Sequence, residues 1–322
     1  MRFRFIYLSF IIPILGISLS SWGFFGHQKI NRIAVFTLPV EMIGFYKRHI
    51  QYITEKAVNP DMRRYVVKGE AERHYIDLDV YGDSALYKMP RYWNDAVKKY
   101  TEDTLKAYGI VPWHINLVKY MLTQAFLEKD VDKILRYSTD LGHYIADAHV
   151  PLHTTENYNG QKTNQIGIHG FWESRLPELF FNHYDLFTGK ATYIKDTQIE
   201  AWKAVESAHL ALDSVFWFER ELTKEFSEDK KYSFEERGNA TVRVYSYEFS
   251  EAYHERLNGM VERQLKRTIK MIGDFWFTAW VDGGQPDLDL LINDPSRGEE
   301  DFFKEKLKTL FRNHESGESV GE

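Results

Sequence analysis

Cysteine is absent from the 322 residues. That excludes disulfides, thiolate metal ligands, a cysteine nucleophile and a lipid-modified lipoprotein cysteine. Proline (9) and glycine (20) are sparse, which excludes a collagen-like or largely disordered chain. Positive charge is not in excess: the formal net charge is −6, so long-range attraction to polyanionic nucleic acid is not advertised. Long apolar runs are also missing, apart from Phe5 to Leu19, which Pro13 and Gly16 interrupt. That run is short for a membrane span. With Arg2 and Arg4 before it and Ser20 and Ser21 after it, it reads as a signal peptide over residues 1–21. Cleavage there would leave Trp22 as the first residue of an exported, periplasmic or secreted protein, with no stable membrane span.

What the chain does have is apolar content, 43% with 16% aromatic, enough for one sizeable core. No internal repeat or low-complexity tract interrupts it. Helical periodicity dominates. It runs from Gln28 to Arg48 with a break at Pro39, from Trp113 to Glu128, from Val131 to Ala148, and from Glu200 to Phe226. Leu257, Val261, Leu265, Ile269, Ile272, Trp276 and Ala279 step by three or four along one further long helix, ended by Gly283-Gly284-Gln285-Pro286. Strand signals are weak and isolated. The expectation is a single all-α, multi-helix domain over residues 22–300, with long loops near 55–95 and 154–170. A short C-terminal helix at Asp301–Phe311 and a polar tail would complete residues 301–322.

The polar residues are unevenly placed. Residues 143–173 hold four of the chain's 12 histidines and three carboxylates. His143 and Asp147 are four apart on a predicted helix, so both side chains leave one face. Pro151 turns the chain before His153, and His169 and Glu173 repeat the four-residue spacing. These donors exceed what one tetrahedral zinc needs, so a cluster of ions is worth considering. The bland alternative is a polar helix followed by a loop. Upstream, His27, Asp61 and His74 are further candidates, each alone more often structural than ligating. His149, two residues beyond Asp147, points elsewhere and suits packing or support of a ligand. Asp77, Asp79 and Asp83 read as a solvated stretch, with a hydrogen bond to a ligand histidine as the other option.

W-G-x-x-G-H at 22–27, Asp61, His74, H-x3-D-x5-H at 143–153 and H-x3-E at 169–173 together resemble the zinc-dependent phospholipase C and single-strand-specific nuclease superfamily. Nine ligand positions match in order, over roughly residues 22–176. The resemblance implies an all-α domain of the phospholipase C/nuclease type with a trinuclear zinc cluster. Asp61, His74, His143 and Asp147 would hold one Zn2+, and His153, His169 and Glu173 a second. Trp22, through its free amino group and carbonyl, would hold the third with His27 and Asp147. Asp147 would then bridge two ions, and Asp61 could also serve as general base. The implied reaction is phosphodiester hydrolysis by a zinc-activated hydroxide, since zinc brings the pKa of bound water from about 15.7 toward 7.

The substrate is divided between a phospholipid headgroup and single-stranded nucleic acid. Glu173 at the last ligand position, the HYIAD run and the short step from His153 to His169 resemble the phospholipase branch. The step from Trp22 to His27 and the run D-A-H-V-P-L-H resemble the nuclease branch, whose fungal and plant members carry disulfides that this chain lacks. Phe24, Phe25, Phe171 and Trp172 flank the candidate ligands; they could stack bases or wall a lipid, although core packing is the commoner use of such residues. The phospholipase C type is the preferred expectation and the endonuclease the alternative. A non-catalytic zinc-binding protein is a lesser one. A di-iron bundle is disfavoured because paired Glu-x-x-His motifs are missing.

Overall fold

The computed structural model describes residues 23–237 and 240–292. The signal segment, Trp22, and the expected Asp301–Phe311 helix and tail lie outside the described residues.

The chain is mainly helical. Helix α1 spans Gly23–Ala34, α2 Val111–Glu128, α3 Val131–Ala148, α4 Thr197–Thr223 and α5 Met260–Asp282. Lys129 adopts a left-handed conformation at the end of α2. Asp130 then starts α3 by accepting the Lys133 amide at 3.1 Å, so two residues suffice to reverse the chain. Asp196 caps α4 in the same way, accepting from Gln198 and Ile199.

Helix α3 is the centre of the fold. It packs against α1, α2, α4 and α5, and every residue from Ser138 to Ala148 is buried. Apolar residues on this helix, such as Leu141 and Ile145, merge with Ile30 and Ala34 of α1, Phe126 of α2 and Trp276 of α5 into one core. Polar groups in such a place are costly unless partnered. Tyr46 donates or accepts at Ser138, and the Trp276 indole N–H donates to the Ser138 carbonyl. Gly142 allows the close approach of α1: a Cβ there would lie 2.1 Å from Asn31 Oδ1. That approach brings His27, one turn before Asn31, beside His143.

Three expectations change. The long loop near 55–95 is a series of short helical turns, including Asn59–Arg63, Leu78–Tyr81 and Trp93–Tyr100. The helix expected from Leu257 begins only at Met260, and a separate helix, Tyr247–Arg256, precedes it, because Asn258 and Gly259 both take positive φ. A β-hairpin is also present: β1, Tyr232–Arg237, pairs antiparallel with β2, Ala240–Tyr245. Alternation at Tyr232, Phe234, Val242 and Val244 around Gly238-Asn239 was its signal in the sequence. The hairpin is tied to α4 by a buried pair, Lys231 Nζ to Glu219 Oε1 at 2.7 Å. Tyr245 in turn stacks on Phe171 with ring centroids 3.8 Å apart, and Glu235 accepts two hydrogen bonds from Arg175. It therefore braces the segment that carries His169 and Glu173.

Candidate metal centre

Six segments deliver the candidate ligands to one place. His27 comes from α1, Asp61 from the short helix Asn59–Arg63, and His74 from the turn after Ala71–Arg73. His143 and Asp147 lie one turn apart on α3. His153 follows on a 3-10 turn that begins at Pro151. His169 and Glu173 straddle the entry to a π-helical turn, Phe171–Arg175, a distortion frequent at functional sites. All of these side chains are buried except His169, which is partly exposed.

The structure brings the eight described candidates together. His74 Nδ1 lies 2.8 Å from Asp147 Oδ2, and His143 Nε2 lies 3.2 Å from the same oxygen. The other carboxylate oxygen, Oδ1, faces His27 Nε2 at 3.5 Å and His153 Nδ1 at 3.9 Å. The two oxygens of Asp147 therefore address different partners. His169 Nε2 is 2.5 Å from Glu173 Oε2, and His153 Nε2 is 3.0 Å from His169 Nε2. Donor atoms within 4.8 Å of one another form four groups: His27, Asp61 and His143; His74, His143 and Asp147; His153, His169 and Glu173; and His27, Asp147 and Glu173. Trp22 lies outside the described residues.

Buried polar atoms test whether a cation fits. Both carboxylate oxygens of Asp61 are buried with no hydrogen-bond donor, and Arg64 comes no nearer than 3.7 Å. Three buried carboxylates gather around imidazoles, so the donor set is of the oxygen and nitrogen kind that suits zinc. Burial pushes the Asp61 carboxyl up to about 7, with His143 opposing it. Burial likewise lowers His74 to about 4. For His153 the same desolvation is outweighed by the Asp147 and Glu173 carboxylates, and its pKa rises to about 9. A bound cation would replace the protons these groups otherwise exchange.

The rings are oriented from behind. His143 Nδ1 donates to the Ala57 carbonyl at 2.8 Å. His74 turns Nδ1 toward Asp147, and its Nε2 faces Glu70 Oε1 at 3.9 Å. Glu70 is fully buried, receives the Tyr144 hydroxyl and pairs with Arg63 and Arg73. Arg63 continues the network to Asp140 of α3 at 3.0 Å. The sequence did not single out Glu70; its one signal was the four-residue step to His74. Asp79 takes a different place from the one entertained for it. It accepts Thr155 Oγ1 at 2.7 Å and the Glu156 amide, holding the loop after His153 rather than a ligand ring. The His149 ring donates to the Ile145 carbonyl and belongs to none of the four donor groups. Phe171 and Trp172 are core residues, not exposed ring faces, whereas Phe24 is exposed. Phe25 packs edge-on against Phe181.

No protein-family model matches the chain, and no curated protein matches it significantly. Among solved structures the chain is similar to the alpha toxin from Clostridium absonum, with a TM-score of 0.46 and 10% identity. The likeness covers 84% of this chain and 64% of the toxin chain, so this chain spans less than two thirds of that protein. A likeness of that size carries nothing about chemistry.

Proposed function

We propose that the chain is an exported zinc-dependent phosphodiester hydrolase of the phospholipase C type. The observation that carries this reading is the convergence of His27, Asp61, His74, His143, Asp147, His153, His169 and Glu173, with both Asp61 oxygens lacking a hydrogen-bond donor. Together with the Trp22 terminus these residues would hold up to three ions. Bound zinc would supply positive charge for phosphate oxygens and an acidified water near neutral pH. Asp147 would present one oxygen to each side of the centre. Asp61, with Arg64 beside it, would be the carboxylate that holds or moves a proton. Residues 22–300 would then form the catalytic domain, following removal of residues 1–21.

The surface favours lipid over nucleic acid. Next to Asp61 in the chain, Met62 is 59% exposed, Tyr65 65% and Val66 81%. Val66 and Val67 sit on a turn closed by amide bonds to the Arg63 carbonyl, whose base the Arg63–Asp140 and Arg63–Glu70 pairs fix. Exposed apolar side chains beside such a centre suit a lipid interface. Of the four aromatics that could have stacked bases, Phe171 and Trp172 are buried, which leaves Phe24 exposed. Among the described residues no helix is long and apolar enough to cross a membrane.

The test is hydrolysis of phosphatidylcholine and of single-stranded DNA, each with and without a zinc chelator. Chelator-sensitive release of phosphocholine with DNA intact is expected. Chelator-sensitive DNA cleavage alone would make the protein a nuclease. Asp147→Asn should lose both zinc and turnover; a variant with full zinc and normal turnover would overturn the assignment.

A further inference from the structure

The net charge of −6 hides a cationic stripe. Arg263, Lys266, Arg267 and Lys270 recur at i, i+3, i+4 and i+7 on α5, so they share one helical face. Like charges four apart destabilise a helix by a few tenths of a kcal/mol per pair, and this face carries two such pairs. It borders a cleft of about 800 Å3 between α4 and α5, to which α4 adds Lys203. A second cleft of about 550 Å3 shares Lys203, Ser207 and Arg267 with it and extends the groove to Gln264 and Arg263. None of the candidate metal ligands lines either cleft.

The lysines are only partly offset. Lys203 pairs with Glu200 at 2.8 Å, Lys270 with Asp274, and Lys266 with Asp185 at 3.3 Å. Arg267 differs. A single nitrogen, Nη1, donates to Ser207 Oγ at 3.0 Å and to Gln264 Oε1 at 3.1 Å, both neutral. No carboxylate pairs with it among the described residues. Gln264 is buried, so the guanidinium is held in place with its remaining N–H groups unused. On the cleft wall, His149 is 1% exposed. Its Nδ1 is committed to the Ile145 carbonyl at 2.8 Å, which leaves Nε2 for the cleft.

We infer that this groove is a second ligand site, separate from the metal centre, for a small organic phosphate. The phosphate would sit on Arg267 and Lys203, as a planar guanidinium with free N–H groups favours. A hydroxyl of the ligand would meet His149 Nε2. The site does not depend on the metal centre's being catalytic.

Calorimetric titration of the chelated, metal-free protein with inorganic phosphate, glycerol 3-phosphate and glycerol tests it. Both phosphates should bind and glycerol should not, with glycerol 3-phosphate the tighter. Arg267→Gln should weaken both phosphates by roughly ten- to a hundredfold, the loss expected for a hydrogen bond to a charged group. Lys203→Gln should weaken them less and serves as the second variant should Arg267→Gln fail to fold by circular dichroism. Asp147→Asn should bind as the wild type does. Absence of phosphate binding, equal affinity in both groove variants and wild type, or loss in Asp147→Asn with retention in the groove variants would overturn the proposal. So would Arg267-dependent binding of a short single-stranded oligonucleotide without binding of either small phosphate. Equal affinity for inorganic phosphate and glycerol 3-phosphate would remove His149 from the site.

Discussion

His153 Nδ1 donates to the carbonyl oxygen of His74 across 2.6 Å. One candidate ligand is thus oriented by the backbone of another, and Nε2 of His153 is turned toward His169 and Glu173. His143 is held in the same manner by Ala57, while His74 Nε2 has the Glu70 carboxylate 3.9 Å behind it, an electrostatic partner beyond hydrogen-bond length. Such partners fix ring orientation and raise ligand basicity, and their loss typically costs 10- to 100-fold in metal affinity or activity. Glu70→Gln should therefore weaken zinc retention by about that factor. Competition with a chromophoric chelator measures it. Unchanged zinc affinity in a folded variant would confine Glu70 to its ion pairs with Arg63 and Arg73.

Gly142 precedes His143 at the point where α1 and α3 touch. Its missing Cβ would meet Asn31, which is buried and bonded to the Thr139 carbonyl at 3.2 Å. Gly142→Ala must push α1 away or displace Asn31, and overpacking of this kind costs about 1–3 kcal/mol. The shift would also separate His27 from His143, whose rings stack at 3.9 Å. A lower Tm together with reduced zinc content is the expected result. A gain in stability, as expected for alanine at an unconstrained helical glycine, would show that the approach is not tight.

Much of this was legible from local spacing. Asp130 and Pro151 bracket α3, and both ends were readable because a cap and a helix breaker act within a few residues. His143 and Asp147, and His169 and Glu173, were readable because four residues is one helical turn. Long-range partners were not readable. The Ala57 carbonyl reaches His143 only through tertiary approach, and no spacing announces that; Glu70 is local, but a lone four-residue step to His74 is too common to mark it. The helix break at Asn258 and Gly259 was masked because Leu257 and Val261 keep the helical step across it. The hairpin was missed because its alternating run is short and lies between strong helices. The cationic face of α5 had a readable period but was averaged away in the total charge.

The apolar turn beside Asp61 separates two kinds of substrate presentation. Burying a valine side chain in an apolar phase is worth about 1.5–3 kcal/mol. Val66→Asp removes that gain and adds charge, so partition to phosphatidylcholine vesicles should fall by tenfold or more, on the order of that transfer energy. Hydrolysis of a short-chain, monomeric phosphatidylcholine should stay near the wild-type rate, because Val66 is not among the candidate ligands. Vesicle sedimentation and the two assays side by side decide it. Equal loss on both substrates would mean that the turn supports the metal centre instead of meeting lipid.

His114 is a source of pH dependence that is not itself a candidate ligand. It is buried edge-on against Tyr144, with ring centroids 4.5 Å apart, and desolvation lowers its pKa to about 3. The unfolded chain would titrate near 6.5. Between these values the unfolded state binds a proton that the folded state refuses, so stability falls as pH drops through this window. Above it both states are neutral and the residue contributes no slope. The slope from this residue should approach 1.4 kcal/mol per pH unit, an order-of-magnitude figure. Urea unfolding of the wild type and His114→Gln between pH 7 and 4 isolates it. The variant should lose stability more slowly on acidification, so that the gap between the two curves shifts in its favour by about that amount per unit. Parallel curves would mean that His114 protonates in place, with its burial relaxed by water.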